Sequence, residues 1–353
     1  MKVNFDSKSL SSIKLTETTQ KGGCAAKLPA GELREFLSEL KMPKPPELLV
    51  GSETMDDAAL WDLGDDRLLI QTLDFFTPII DDARDFGAIA ATNSLSDIYA
   101  MGGKPATALT ILAFPSSKLP LELIKPLMEG ALEKITESGA CLAGGHSIDD
   151  ETLKLGFSVS GFVKKSKAWL NSGAKVGDVL ILTKGLGTGT ITSAAKNKVA
   201  KEEWLNAATS SMKKLNNAVE LLTDIKVNAA TDITGFGLAG HAMQMCQAGQ
   251  VSFKIETSKL PSIVGARECL EKEVLNRAHR TNLKYVENQV EFADEVSPAD
   301  RWLTVDPQTS GGLLLLIPKD QSSSALQKLL RNFPDSAIIG EVHPWSSKSI
   351  YFS

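Results

Sequence analysis

The spacing of apolar residues changes period several times along the chain, and each change marks an element. In "AGELREFLSEL" (30–40), Leu33, Phe36, Leu37 and Leu40 recur at helical spacing, which predicts a helix. It lies in a mostly polar stretch, residues 1–49, that ends in the proline-rich "KMPKPPELL". From residue 58 strands and helices alternate. "RLLIQTLDFF" (67–76) predicts a strand with Asp74 near its end. "DFGAIAATNSLSDIYAMGG" (85–103) predicts a helix capped by Asp85 and stopped at Gly102–Gly103. "ATALTILAFP" (106–115) reads as a strand, "PLELIKPLMEGALEKITESG" (120–139) as a helix, "ACLAGGHS" (140–147) as a short strand running into glycines, and "LKLGFSVSGFV" (153–163) as a strand. The order β-α-β-α-β-β predicts a split βαβ layer with helices on one face of a sheet.

A second α/β unit begins near "AKVGDVLILTK" (174–184), a strand feeding the glycine-rich "GLGTGT". Helices are predicted at 188–197 and 202–223, then a glycine turn and helix within 227–249 and a strand at 251–256. "PQTSGGLLLLI" (307–317) reads as a turn and a buried strand, "SSALQKLLRNF" (323–333) as a helix, and "AIIGEV" (337–342) as the last strand. The expected fold class is therefore a two-domain α+β or α/β protein. Its parts are an N-terminal segment (1–47), a first domain (48–165) and a C-terminal α/β domain (166–353).

Composition narrows the function. With 42% hydrophobic and 23% charged residues the chain reads as a soluble globular protein. A formal net charge of −5 argues against nucleic acid or an anionic membrane as a partner. No apolar run approaches the roughly 20 residues of a membrane helix, and "MKVNFDSKSL" lacks the apolar stretch of a signal peptide. The four cysteines, Cys24, Cys141, Cys246 and Cys269, form no CxxC pair, so a zinc site or disulfide framework is not expected and a reducing, cytoplasmic setting is. Cys141, Cys246 and Cys269 sit in or beside apolar periods and read as core thiols.

Three constellations carry candidate chemistry. The first is acidic: Asp56 and Asp57 before a strand-like run, Asp74 near a strand end, and Asn93 and Asp97 on one helix face that also carries Ala90 and Met101. One such acid alone is more often a turn or surface residue. Several at the ends of successive elements favour a shared cation, and oxygen-only ligands suit Mg²⁺ held with phosphates. Asp232, in "TDITGFG", joins the set if its loop faces the first domain. The second is glycine. "AGGHS" (143–147), "KGLGTGT" (184–190), "TDITGFGLAGH" (231–241) and "QTSGG" (308–312) lie beside predicted elements, where backbone amides can approach phosphate. None is a Walker A loop, and a tight turn is the commoner role for any one of them. The third is Cys24 with Lys27 in "KGGCAAK". A nearby ammonium favours the thiolate, and the glycines let the segment bend; the plainer reading is a mobile terminus with an idle thiol. The four histidines form no short-spaced pair and are not read as metal ligands.

Together, "GGCAAK", "GSETMDDAAL", "TLDFFTPIIDD", "FGAIAATNSLSDIYAMGGKP", "LAGGHSID", "TDITGFGLAGH" and "DPQTSGGLLL" resemble, in order, the selenophosphate synthetases (selenide, water dikinases). These belong to the superfamily of aminoimidazole ribonucleotide synthetase, thiamine-monophosphate kinase and a hydrogenase maturation factor. The resemblance implies that ATP, selenide and water give selenophosphate, orthophosphate and AMP, with Mg²⁺ required. It implies that Cys24 and Lys27 are essential and that Asp57, Asp97 and Asp232 bind metal. It also implies that Lys27, Thr54, Met55, Asp56, Asp74, Asp97, Gly145, His146 and Ser147 contact ATP. Relatives often carry a second cysteine just before the lysine; this chain has Ala26 there. The implied assembly is a homodimer whose N-terminal sheets pair into a barrel, with ATP held between subunits and domains. Another ATP-using member of the superfamily, or a non-catalytic selenium-binding homologue, is the alternative. The hydrogenase-maturation type needs a C-terminal cysteine, and this sequence ends "SIYFS".

Overall fold

The structure, a computed structural model, describes residues 13–19, 40, 43–51 and 55–353. Cys24, Lys27, Thr54 and nearly all of the helix expected at 30–40 lie outside these. Among the described residues two mixed sheets organise the chain. The first contains β1 (Leu48–Val50), β2 (Ala59–Asp62), β3 (Arg67–Phe76), β4 (Lys104–Phe114), β5 (Cys141–Asp149) and β6 (Lys154–Lys164), in the order β1-β2-β3-β6-β4-β5. Only β4 and β5 run parallel in it.

Helices α1 (Ala83–Ala100) and α2 (Ile124–Glu137) cover one face of this sheet. They meet at two glycines. A Cβ on Gly87 would lie 1.9 Å from the Leu127 carbonyl oxygen, and one on Gly130 would lie 1.9 Å from that of Arg84. α1 is buried almost all round, Arg84 and Asp85 excepted, because the second half of the chain packs on its far side. Its N-cap is Asp82, which accepts from the Asp85 amide at 2.8 Å, and not Asp85 as expected. Asp85 sits one turn in, where its carboxylate meets Lys213 at 2.5 Å.

The second sheet runs β10 (Val290–Phe292), β13 (Ile350–Phe352), β9 (Val251–Ile255), β12 (Ala337–Pro344), β7 (Asp178–Leu182), β11 (Leu313–Pro318), β8 (Ala229–Asp232). Helices α3 (Thr188–Lys196), α4 (Glu202–Met212), α5 (Gly237–Gly249), α6 (Ala266–Glu271), α7 (Arg277–Val286), α8 (Pro298–Thr304) and α9 (Lys319–Leu329) surround it. β7 is buried at every position, and so are Leu313 to Ile317 of β11, as a continuous apolar run requires. One hydrophobic cluster joins the halves: Ile191, Ala194, Trp204, Ala208 and Met212 pack with Phe86, Leu95 and Leu127.

Three expectations need correction. The helix from Glu202 ends at Met212 rather than near residue 223. Beyond it Lys214 and Asn216 give backbone and side chain to partners in other elements, which outcompete further helix. The last strand is β13, inserted parallel beside β9 and β10, and not the strand at 337–342. Cys141 is exposed on the edge strand β5, whereas Cys246 and Cys269 are buried as core thiols.

Candidate active site

Strand alternation and helical spacing aim one set of polar groups at a single point. On β3 the odd positions Leu73 and Phe75 face out, so Thr72 and Asp74 face α1. α1 presents Asn93 and Asp97 there, four residues apart on one face. Asp57 lies just before β2, and Asp232 ends β8 in the second sheet.

Asp57, Asp97 and Asp232 each bring a carboxylate oxygen within 4.8 Å of the others. Asp97 and Asp232 are 7% and 1% exposed; Asp57 keeps some surface, but its Oδ2 is buried with no hydrogen-bond partner among the described residues. The Thr72 hydroxyl donates to Asp97 Oδ2, and the Thr231 hydroxyl donates to Asp57 Oδ1 at 2.8 Å. Burial is the main force pushing the carboxyls of Asp57 and Asp97 well above their usual range, and the nearby charge of Asp232 adds to it. Three acids in mutual repulsion, one with an unpartnered buried oxygen, fit a divalent cation with oxygen ligands.

The neighbouring groups are committed to holding this point. Asp74 Oδ2 accepts from Asn93 Nδ2 at 2.7 Å. Met55 sits in the left-handed region (φ 54), its carbonyl accepting from Asn171 Nδ2 at 2.8 Å, and Asp56 Oδ1 accepts from the Asn171 amide at 2.7 Å. Lys184 is buried and donates to the carbonyls of Lys214 (2.6 Å) and Ser310 (3.1 Å). Burial lowers its pKa to about 7, and the Asp232 charge works against that fall.

Gly145, His146 and Ser147 are not brought to this point. They lie on the exposed edge strand β5, separated from β3 by β6 and β4. The "GLGTGT" loop is closed by the "QTSGG" turn: the amides of Gly187 and Thr188 both donate to Gln308 Oε1 at 3.1 Å. That side chain is held in turn by Asp306, which meets Thr190 and His279 in a fully buried network. This loop is a structural turn in the chain. Thr72, Thr231, Asn171 and Lys184 are site residues that sequence reasoning missed. Only Thr72 had a local signal, sharing a strand face with Asp74.

Fold and site together define a class. Residues 55–163 match the N-terminal domain of the AIR synthase related proteins, and residues 175–351 match their C-terminal domain. The fold is similar to thiamine monophosphate kinase from Aquifex aeolicus (TM-score 0.63, 18% identity, covering 92% of this chain and 96% of that one). It is also similar to the hydrogenase maturation protein HypE of E. coli (TM-score 0.63, 18% identity, covering 87% and 89%). Within the class the sequence is more particular. It is 51% identical to selenide, water dikinase of Bdellovibrio bacteriovorus over 96% of this chain and 98% of that protein. It is 46% identical to that of Nitrosomonas eutropha and 42% identical to that of Clostridioides difficile, each over 96% of this chain and 98% and 97% of those proteins. The chain belongs to the selenide, water dikinase family.

Proposed function

We propose that the chain makes selenophosphate: ATP, selenide and water give selenophosphate, orthophosphate and AMP. The convergence of Asp57, Asp97 and Asp232 from three separate segments is the observation that carries this reading. These carboxylates hold Mg²⁺. Bound there, the ion neutralises the polyphosphate charge, which is most of what phosphoryl transfer asks of a protein. Met55, Asp56 and Asp74, beside the acids, contact the nucleotide, as does Thr54. Cys24 handles selenium as a thiolate favoured by the Lys27 ammonium, and Lys27 also meets phosphate. A cytoplasmic location suits a free functional thiol. Among the described residues no helix is long and apolar enough to cross a membrane.

The active form in this reading is a homodimer. The outer face of the first sheet carries Leu73 (53% exposed), Phe75 (47%), Leu109 (45%), Ile148 (53%) and Phe162 (41%), large apolar side chains that no part of the described chain covers. A second copy laid on this face hides it and carries its own β5 toward the first copy's acids. Gly145, His146 and Ser147 then contact ATP bound by the partner.

The test is AMP release from ATP with and without selenide. Asp→Asn at Asp57, Asp97 or Asp232 should nearly abolish turnover and metal-dependent nucleotide binding with the fold intact. Cys24→Ser should remove selenide-dependent AMP formation yet keep Mg²⁺–ATP binding. Normal selenophosphate production by Cys24→Ser would refute the thiol's role, and metal-dependent nucleotide binding surviving all three acid changes would refute the metal site.

A further inference from the structure

The metal site proposed above is split between the halves: Asp57 and Asp97 belong to the first sheet and its helix, Asp232 to the second. Something must hold the two parts in register. We propose that Asn93 is the positioning residue that does so, by joining Asp74 to the "QTSGG" turn; the inference rests on the reading of the three acids as a metal site.

Asn93 is fully buried and uses both ends of its amide. Nδ2 donates to Asp74 Oδ2 at 2.7 Å, and Oδ1 accepts from the Ser310 amide at 2.9 Å. Ser310 is itself 0% exposed and adopts φ 50, an unusual backbone for a residue with a Cβ. Such a conformation persists only when its surroundings over-determine it. Here its N–H is fixed by Asn93 and its C=O by Lys184 Nζ, so both sides of the strained residue are held by side chains from other segments.

The same turn is locked to Asp232. The Ile233 amide donates to the Gly312 carbonyl at 2.8 Å, and β11 pairs Leu313 opposite Asp232. A Cβ on Gly311 would lie 2.1 Å from the Ile233 carbonyl oxygen, so the turn lies flat against the chain just past Asp232. Asn216, donating to Ser96 Oγ (2.8 Å) and the Gly311 carbonyl (2.7 Å), and the Thr231 hydroxyl, donating to Asp57 Oδ1 (2.8 Å), add further ties across the seam. A chain of short contacts therefore runs from Asp74 and α1 through Asn93 to Ser310, Gly312 and Asp232. In this role Asn93 acts through its side-chain partners, setting the distance between Asp57 and Asp97 on one side and Asp232 on the other.

The test uses Mn²⁺ alone, without nucleotide, on the full chain. Free Mn²⁺ is read by electron paramagnetic resonance well below each variant's melting temperature. Asn93→Ala should weaken Mn²⁺ binding about tenfold or more, as loss of an outer partner of a metal site does. Asn93→Ser serves if the alanine variant does not fold. Ser310→Gly keeps both backbone contacts and should bind Mn²⁺ within about threefold of the unchanged protein. The exchange Asp74→Asn with Asn93→Asp preserves the amide–carboxylate contact and the charge, and should recover most of the lost affinity. A purely structural Asn93 would lower the melting temperature and leave Mn²⁺ affinity unchanged; that result, or an exchange variant no better than Asn93→Ala, overturns the inference. Asp97→Asn separates the two readings. Undiminished Mn²⁺ binding there removes the acids from the site and the positioning role with them. Its loss there but not in Asn93→Ala leaves the acids in place and removes only Asn93.

Discussion

The two sheets of this chain solve the same burial problem differently. In the second sheet β7 and Leu313 to Ile317 of β11 are apolar and buried on both faces, covered by helices of the same chain. In the first sheet α1 and α2 cover one face, and among the described residues nothing covers Leu73, Phe75, Leu109, Ile148 and Phe162 on the other. An apolar run covered on both sides is a finished core. An apolar face left open is an unfinished one, and burial there is worth roughly 25 cal/mol per Å² to whatever covers it. The acid cluster lies where the two solutions meet, with Asp97 behind the half-open sheet and Asp232 at the edge of the closed one.

Substitution separates the two surfaces. Leu314, 0% exposed in the closed sheet, should lose about 2–5 kcal/mol as Leu314→Ala and leave little folded protein as Leu314→Asp, read by chemical denaturation. Phe75→Lys, at a 47% exposed position, should leave monomer unfolding within about 1 kcal/mol and instead halve the mass seen by sedimentation. Equal destabilisation by Leu314→Ala and Phe75→Lys would erase the distinction.

If the three acids hold a metal as proposed, the seam between the sheets should respond to metal and pH. The carboxyls of Asp57 and Asp97 titrate above their unfolded values, so the folded, metal-free protein holds protons that the unfolded chain has released. Their cost is absent below the ordinary carboxylate range near ~4 and grows as pH rises through the raised values. Mg²⁺ should therefore raise the melting temperature more at about pH 8 than at about pH 5. A metal-induced shift that is equal at both, or larger in acid, would argue against this coupling.

Lys184 supplies an effect of opposite sign. Its folded pKa of about 7 lies below the unfolded value near ~10.4, so its contribution to stability rises with pH across that window. Lys184→Met should flatten the rise; the comparison is the difference in unfolding free energy between the two proteins at the two ends of the window.

Legibility in the sequence followed the same division. "RLLIQTLDFF" predicts β3 with the observed ends, and "LLLLI" predicts a strand buried on both sides, because both signals are local and apolar. Residues 257–306 had no assigned element, yet they hold α6, α7, α8 and β10. The reason is visible in α7, whose buried face contains His279 and Asn282, polar groups satisfied by Asp306, Gly235 and Val305 rather than an apolar stripe. Asn93 and Asp97 showed themselves as a pair on one helix face. That Asn93 reaches Ser310, 217 positions away, had no local trace. The open face of the first sheet was equally hidden, since alternation marks a strand without saying who covers each side.

In the proposed homodimer each ATP site combines one copy's acids with the other copy's β5, and complementation between two variants reads this out. Asp97→Asn disables the acids, and Gly145→Val, which crowds the backbone of Thr110 at a φ of 153, disables β5. Each variant alone should form little selenide-dependent AMP. Mixed in equal amounts and allowed to exchange subunits, half of the dimers contain one intact site of two, so activity should return to about a quarter of the unchanged protein. Activity that stays at the level of the separate variants, with heterodimers demonstrated in the mixture, would contradict the shared site.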